Sequence, residues 1–377
     1  GYLSITLKED TQTLDEVVVV GFGTQKKVNL TGAVESVSVK DLNKRLVGQT
    51  SLALQGLVPG IAITQRSGQP GRDGGTISVR GQTTLGNNDV LVLVDGVEMG
   101  IDDVDPSLIE SMSVLKDAAS AAIYGSRAAN GVILITTRRA ETDKFNVSYS
   151  GHVGWQSAIQ LPKKVGAIDH MRMMDLANVN VGNSPVFGEE KIKEYERNMY
   201  SDPDRYPDTD WYGACLTNSG FTQNHFVTIS GGSKRIRTIA NFGYMSQDGI
   251  IENSKYQRYT FRVNSDMEVL KNLTAKVDAH ITYGKRREPS NYDIFNWISR
   301  IPANEAGILT SGKWGKGWNG NNPIAMAKDG GNTDVTKPNA LFNFSLIYKP
   351  VECLTVQASY SPNYYEAHES IYSRSIE

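Results

Sequence analysis

Beyond residue 145 the sequence alternates with period two, and the two faces it defines are unlike. Phe145, Val147, Tyr149, Val153 and Trp155 fall on one side of an extended chain; Asn146, Ser148, Ser150, His152 and Gln156 fall on the other. The pattern returns with Tyr259, Phe261 and Val263 against Arg258, Thr260, Arg262 and Asn264. It returns again with Ala275, Val277, Ala279, Ile281 and Tyr283 against Lys276, Asp278, His280 and Thr282, and with Leu354, Val356, Ala358 and Tyr360 against Thr355, Gln357 and Ser359. One such strand fits a half-buried soluble sheet. Several, each about ten residues long with one apolar and one strongly polar face, form the pattern of a transmembrane β-barrel. No run approaches the eighteen or so apolar residues of a membrane helix. A membrane chain of this sequence must therefore span as a barrel, the only other way to satisfy backbone polar groups in lipid.

About seven strands are predicted, near residues 145–156, 221–231, 235–247, 257–269, 273–285, 339–349 and 354–365. Their links alternate between long and short: about sixty residues, a tight Gly-Gly-Ser-Lys turn, a medium loop, a three-residue turn, about fifty residues, and a short turn through Cys353. Short periplasmic turns alternating with longer outer loops are the outer-membrane arrangement, and a soluble sandwich gives no reason for it. Cys215 then lies in the first outer loop and Cys353 in a periplasmic turn, a bilayer core of about 25–30 Å apart. A disulfide needs Cα atoms within about 7 Å, so two free thiols are expected.

With 377 residues the chain has room for two domains. Net charge is −2, which leaves no basic footprint for nucleic acid. The N-terminus is not charged and then apolar, so any signal peptide is expected to be removed or to lie outside this chain. Two cysteines exclude a disulfide scaffold and a multi-cysteine metal site. His152, His170, His225, His280 and His368 show no metal-ligand spacing and read as polar wall residues. No nucleophile–base pair, carboxylate pair or cofactor motif appears, so no catalytic, metal or cofactor site is expected and an enzyme is not.

Residues 54–137 differ in character, being small, glycine-punctuated and mixed in periodicity. Landmarks are Leu54-Gln-Gly-Leu-Val-Pro-Gly, Ser67-Gly-Gln-Pro-Gly, Ile77-Ser-Val-Arg-Gly, Val90-Leu-Val-Leu-Val-Asp-Gly and Ala122-Ile-Tyr-Gly-Ser-Arg-Ala-Ala-Asn-Gly-Val-Ile-Leu-Ile-Thr-Thr. Asp95-Gly96 reads as a hairpin turn, and Val132 to Thr137 as a buried β-branched strand. Asp117 is a plausible N-cap for the alanine-rich run before Gly125, which suits a helix stop. Taken in this order, from about residue 14 to 139, the segments resemble the plug domain of TonB-dependent outer-membrane transporters, specifically the SusC/RagA-like nutrient importers.

The expected fold class is thus an α+β plug followed by antiparallel transmembrane β-barrel strands, about seven of the roughly 22 of such barrels. Residues 1–13 would end an N-terminal extension domain, 14–24 carry the TonB box, 25–139 form the plug and 140–377 begin the barrel. Open barrel edges are untenable in lipid, so the remaining strands are expected elsewhere.

Three readings compete for Leu14, Asp15, Glu16, Val17, Val18, Val19 and Val20 with the Gly-Phe-Gly that follows. The dinucleotide fingerprint fails because Lys26 stands where its third glycine belongs and no helix opens there. An ordinary buried strand remains open. The resemblance favours a TonB box, a β-branched segment beside a polar spacer that pairs edge-on with a partner strand.

The resemblance further implies active import of an oligosaccharide or oligopeptide, energised through TonB with ExbB and ExbD, beneath a SusD-like lipoprotein lid. Candidate ligand-facing residues are Gln82, Asn87, Asn88 and Asp89 on the plug, and Trp297, Trp314 and Trp318 in the third outer loop. Those tryptophans equally suit packing against a lid or filling a girdle. Arg80 is expected to hold the plug to the barrel wall by ionic contacts. Asp102 and its neighbours lack a calcium loop and read as a solvated turn. Residues 169–178 and 189–200 read as short amphipathic helices, the first with Met171, Met174 and Leu176 as its apolar side. A motif around Asp210-Trp211 favours the lidded class. The rivals are a siderophore, haem or cobalamin receptor without a lid, and a surface adhesin or passive pore.

Overall fold

The computed structural model describes residues 17–20, 23–26, 34–37, 39–45, 47–81, 88–117, 121–217, 219–290 and 293–376. They divide into two compact units: the described residues within 1–68, 73–144 and 231–239 form the first, and those within 69–72, 145–230 and 240–377 the second.

The first unit is α+β. Strands β1 (Val17–Val20) and β2 (Gly23–Lys26) pair antiparallel, Val17 opposite Lys26 and Val20 opposite Gly23. β3 (Val34–Val37) leads into a short helix, α1 (Val39–Asn43), followed by α2 (Thr50–Ala53). β4 (Ile61–Gln65) and β5 (Gly75–Val79) make a separate two-stranded ribbon. β6 (Leu91–Val94), β7 (Val97–Glu98), β8 (Ile109–Leu115) and β9 (Val132–Thr137) join β3 in a five-stranded sheet of order β3-β8-β9-β6-β7. Among the described residues of this sheet, β6 and β9 pair in parallel and the other neighbours antiparallel.

The centre of that sheet is the β-branched run read as a buried strand. Val132, Ile133, Leu134 and Ile135 are buried on both faces, as continuous apolar strands are when covered on each side. One face packs with Leu91, Leu93, Leu115, Ala121 and Ala128, and Tyr124 closes the cluster. Asp95 and Gly96 take φ of 50° and 87°, the two positive values of a type I′ turn. The Asp95 carboxylate also accepts from Thr137 N at 2.9 Å and Thr137 Oγ1 at 2.6 Å, pinning the hairpin to the neighbouring strand. Gly125, at φ 69°, breaks the short 3₁₀ run of residues 122–128. Residues 118–120, where the expected N-cap would act, lie outside the described residues.

The second unit is a sheet of long strands joined in chain order. β10 (Asn146–Gln156), β11 (Gly220–Gly232), β12 (Ile236–Asp248), β13 (Lys255–Leu270), β14 (Leu273–Pro289) and β15 (Gly331–Val351) lie side by side. β16 (Leu354–Tyr360), β17 (Asn363–Tyr365) and β18 (His368–Ser373) pair in turn along β15, so they act as one interrupted seventh strand. Between β10 and β11 lie helices α3 (Ala167–Asn180), α4 (Glu189–Asn198) and α5 (Trp211–Cys215). Between β14 and β15 lie α6 (Ile294–Arg300) and α7 (Pro323–Lys328). At the other end the links are tight: Val351 pairs with Leu354 across a two-residue turn.

Strands β15 and β18 run further than the alternation predicts, beginning at Gly331 and ending at Ser373. Asn332, Thr333, Asp334 and Thr336 are polar on both faces, so hydropathy reads them as loop. The backbone register continues regardless: Gly331 pairs with Ser373 and Thr336 with His368.

Cys215 and Cys353 are both free thiols, as the strand assignment required. Cys215 is buried, which pushes its thiol up to about 12, whereas Cys353 is exposed in its turn. A thiol is attacked through its thiolate. A membrane-impermeant maleimide should therefore modify Cys353, only after the outer membrane is permeabilised, and leave Cys215 untouched until the protein is denatured.

Candidate functional site

The sheet of the second unit is inverted relative to a soluble protein. Phe344, Leu346 and Tyr283 are 44%, 52% and 45% exposed, whereas Arg262, Asp278 and His280 are 3%, 6% and 2% exposed. In water this exchange would be costly on both faces. In lipid it is the stable arrangement, apolar outside and polar inside.

The apolar face has the dimensions of a membrane span. On β14 it runs from Leu273 to Tyr283, ten steps of about 3.3 Å or roughly 33 Å of strand, hence about 23 Å of height at a tilt near 45°. At its upper end Tyr244, Tyr259 and Tyr283 form a tier, with ring centroids 5.1 Å and 6.5 Å apart along the row. Aromatic girdles of this kind mark the membrane–water boundary. The polar face carries hydrogen-bonded ladders. Arg262 Nε donates to Asn264 at 3.2 Å, Asn343 donates to Asp278 at 3.3 Å, and Thr228 donates to Asn241 at 2.7 Å.

A tetrapeptide from the loop between β4 and β5, residues 69–72, packs with these strands. Gln69 Nε2 donates to Glu288, Arg72 Nη2 lies 3.1 Å from its Oε1, and Arg286 Nε lies 3.5 Å from its Oε2. Glu288 is buried, so its charge is held by these donors. Gly71, at φ 70°, lies against the Tyr256 ring, where a Cβ would approach to 2.5 Å. Only glycine combines that φ with that approach.

The outer loops fold into an ordered body, and the residues around Asp210-Trp211 hold it together. Asp208 accepts from Ala167 N at the start of α3, 2.7 Å. Thr209 N donates to Ala303 O at 2.8 Å and its hydroxyl to Glu305 O at 2.7 Å. Asp210 caps α5 through Gly213 N at 3.0 Å, and the buried Trp211 donates to Pro302 O at 2.9 Å. Trp211 heads a core with Ile294, Ile298, Ile301 and Ile324. A second core joins Met171, Ile192, Tyr195 and Ala303. Lys164 donates to Ile298 O at 2.5 Å and also to Ile301 O, capping the C-terminal end of α6; burial lowers its affinity for a proton. Asp175 accepts from Phe187 N and Gly188 N, both at 2.8 Å, and these bonds hold its carboxyl below the usual range. Removing Trp211 should cost about 3–5 kcal/mol. Trp211→Ala is expected to open both loops to trypsin on intact cells, where the wild-type loops resist cleavage.

The strand unit and the α+β unit have relatives in which both occur together. The TonB-dependent receptor P26 of Formosa agariphila is 32% identical over 387 aligned residues, covering 99% of this chain. This chain belongs to the SusC/RagA-like TonB-dependent outer-membrane receptors. Residues 26–132 match the family model of the TonB-dependent receptor plug domain. The TonB-dependent receptor SusC of Bacteroides thetaiotaomicron is 31% identical over 304 residues, 76% of this chain. The RagAB peptide importer in its 'open-open' state shares the fold, with a TM-score of 0.75 at 23% identity over 93% of this chain and 42% of that one. The chain spans 37% of the length of P26 and 28% of SusC.

Within this receptor the expected site residues separate. Of the TonB-box segment, Val17, Val18, Val19 and Val20 form β1; Leu14, Asp15 and Glu16 lie outside the described residues. Gln82 and Asn87 also lie outside them, Asn88 is half-buried and Asp89 exposed. Trp297 and Trp318 meet edge to face. Trp314 does not join them: it packs into the Trp211 core and donates to Asp329 at 2.9 Å. Arg80 is corrected too, since it pairs with Asp117 inside its own unit, and Arg72 is the arginine that reaches a strand carboxylate. Asp102 is no solvated turn; it accepts from Ser51 N at 2.8 Å and Ser51 Oγ at 2.9 Å at the start of α2. Of the three apolar residues expected to face inward on α3 only Met171 is buried, whereas Met174 and Leu176 are exposed. Among the described residues no His, Cys, Asp and Glu group could hold a metal. The Gln69–Arg72 contact was missed, and Ser67-Gly-Gln-Pro-Gly carried its only signal, a glycine in a motif otherwise read as turn.

Proposed function

We propose that the full receptor actively imports an oligosaccharide or oligopeptide across the bacterial outer membrane. In this reading residues 1–13 end an extension domain, residues 14–24 carry the TonB box, residues 25–139 are the plug and residues 140–377 begin the barrel. TonB, with ExbB and ExbD, pairs with residues 14–20 and pulls, and a SusD-like surface lipoprotein lids the barrel. The observation that carries the reading is the joining of a plug-family unit to a sheet whose exposed face is apolar. Coupling requires that substrate bind the resting and pulled plug with different affinity.

The extended backbone of β1 supports the TonB-box assignment, because strand addition uses main-chain groups and asks only for extended structure. The ordered loop body around Trp211 supports a lid, since it offers a stiff outer surface to dock on. The protein acts as a transporter and not as an enzyme. Uptake that stops when TonB is removed, together with a lipoprotein that co-purifies with the receptor, is the expected result. Uptake without a lipoprotein would favour a lidless siderophore, haem or cobalamin receptor; uptake indifferent to TonB would favour a passive pore.

A further inference from the structure

All three tryptophans in the loop between β14 and β15 keep some accessible surface, and two of them meet. Trp297 on α6 and Trp318 stand with ring centroids 6.3 Å apart and planes at 76°, forming a corner. Trp318 is 38% exposed and both Trp297 and Trp314 are half-buried; Trp314 stands apart from the corner, packing against the Trp211 core and donating to Asp329. Large aromatic rings left at a surface in a fixed geometry are what a recognition site requires and what a fold alone does not.

The supports of the corner are stiff. Trp318 and Asn321 close a two-residue hairpin by reciprocal backbone bonds of 3.1 Å and 3.0 Å. Asn319 and Gly320 hold φ of 53° and 83° within it, the type I′ turn that an Asn-Gly pair favours. Gly317, at φ 60°, lets the backbone of Asn321 approach to within 2.2 Å of where a Cβ would sit. On the other side α6 is anchored by the buried Ile294 and Ile298 and by the Lys164 cap.

We propose that the Trp297–Trp318 corner is a sugar-stacking subsite, so that the oligomer captured by this receptor is an oligosaccharide; this rests on the import reading. A pyranose ring presents a C–H face and a rim of hydroxyls. The ring faces of the corner match the first. Asn296, Asn319 and Asn321, beside the two rings in sequence, supply amides for the second; Asn296 also donates to Asp293 and Asn321 to the Trp318 carbonyl. A peptide captured by main-chain pairing needs an open strand edge. The local hairpin is a single isolated bridge whose backbone groups already pair with each other, so it offers none.

The test is calorimetric titration of the detergent-purified full-length receptor with maltohexaose, laminarihexaose, xylohexaose, tetragalacturonate and a tryptic digest of casein. At least one glycan should bind, and Trp318→Ala and Trp297→Ala should each weaken it about tenfold. Trp318→Phe should retain most of the affinity, because a ring face remains. Asn319→Gly preserves the turn and removes one amide, so it should lose less than Trp318→Ala. Should Trp318→Ala fail to reach the membrane, Trp318→Phe against Asn319→Gly reads the same question. Binding of the peptide digest alone, binding of no glycan, or unchanged glycan affinity in both alanine variants would overturn the proposal. Receptor lacking residues 14–20 should bind glycan normally and import none; if it imports normally, the TonB-driven part of the import reading fails and the subsite does not.

Discussion

Deleting residues 14–20 from the full-length receptor should reduce energised uptake to background while the protein still reaches the outer membrane in normal amount. The segment carries three or more consecutive β-branched residues and is extended over Val17–Val20. Its pairing with Gly23–Lys26 is a four-residue ribbon, and a two-stranded ribbon alone is marginal in water, so a partner strand can compete for its main-chain groups. Single substitutions should be mild, because backbone bonds and not side chains carry the load. The exception is Val18→Pro, which removes a backbone donor and restricts the preceding residue. It should approach the deletion in effect. Uptake undiminished by the deletion would remove TonB coupling from the account of this protein.

Phe344→Arg should prevent or strongly impair insertion. Phe344 pairs with Val277 near the middle of the apolar face, and an arginine at the bilayer midplane of a barrel costs about 2–4 kcal/mol. The lost contact with Phe342, stacked at 6.5 Å, adds to that. Tyr283→Arg, at the aromatic tier, should cost about 0–1 kcal/mol by the same depth dependence. Comparing the two by urea unfolding in lipid vesicles measures the depth profile. Equal costs at the two positions would mean that this face does not contact lipid.

The strand assignment was legible because it depends on a local property. Side chains alternate across a strand whatever the rest of the chain does, and lipid outside with polar lumen inside gives the two faces opposite chemistry. The alternation therefore located all seven strands. It failed at residues 331–338 and 366–373, where polar residues such as Asn332, Thr333, Asp334, His368, Glu369 and Ser370 interrupt the alternation while the backbone register continues. The Asp95-Gly96 hairpin and the strand Val132–Thr137 were legible for a similar reason, since turn chemistry and β-branching act within a few residues.

Side-chain partners were not legible. Arg80 was expected on the barrel wall, yet Asp117 lies closer through the fold of its own unit, and Arg72 reaches Glu288 across 216 positions of sequence. Asp102 looked like a solvated acidic turn until the chain brought Ser51 to it. The three tryptophans of one loop had equal standing in the sequence; the fold packed Trp314 against the Trp211 core and left Trp297 and Trp318 in contact.

By itself, then, the order of residues determined the period, the turns and the unlike faces, which is enough to specify a lipid-facing sheet, an α+β unit and their kin. Only the tertiary structure decided which charges and rings meet. Periodicity is set by bonds between neighbours in the chain, whereas a partner hundreds of residues away depends on the register of every strand between.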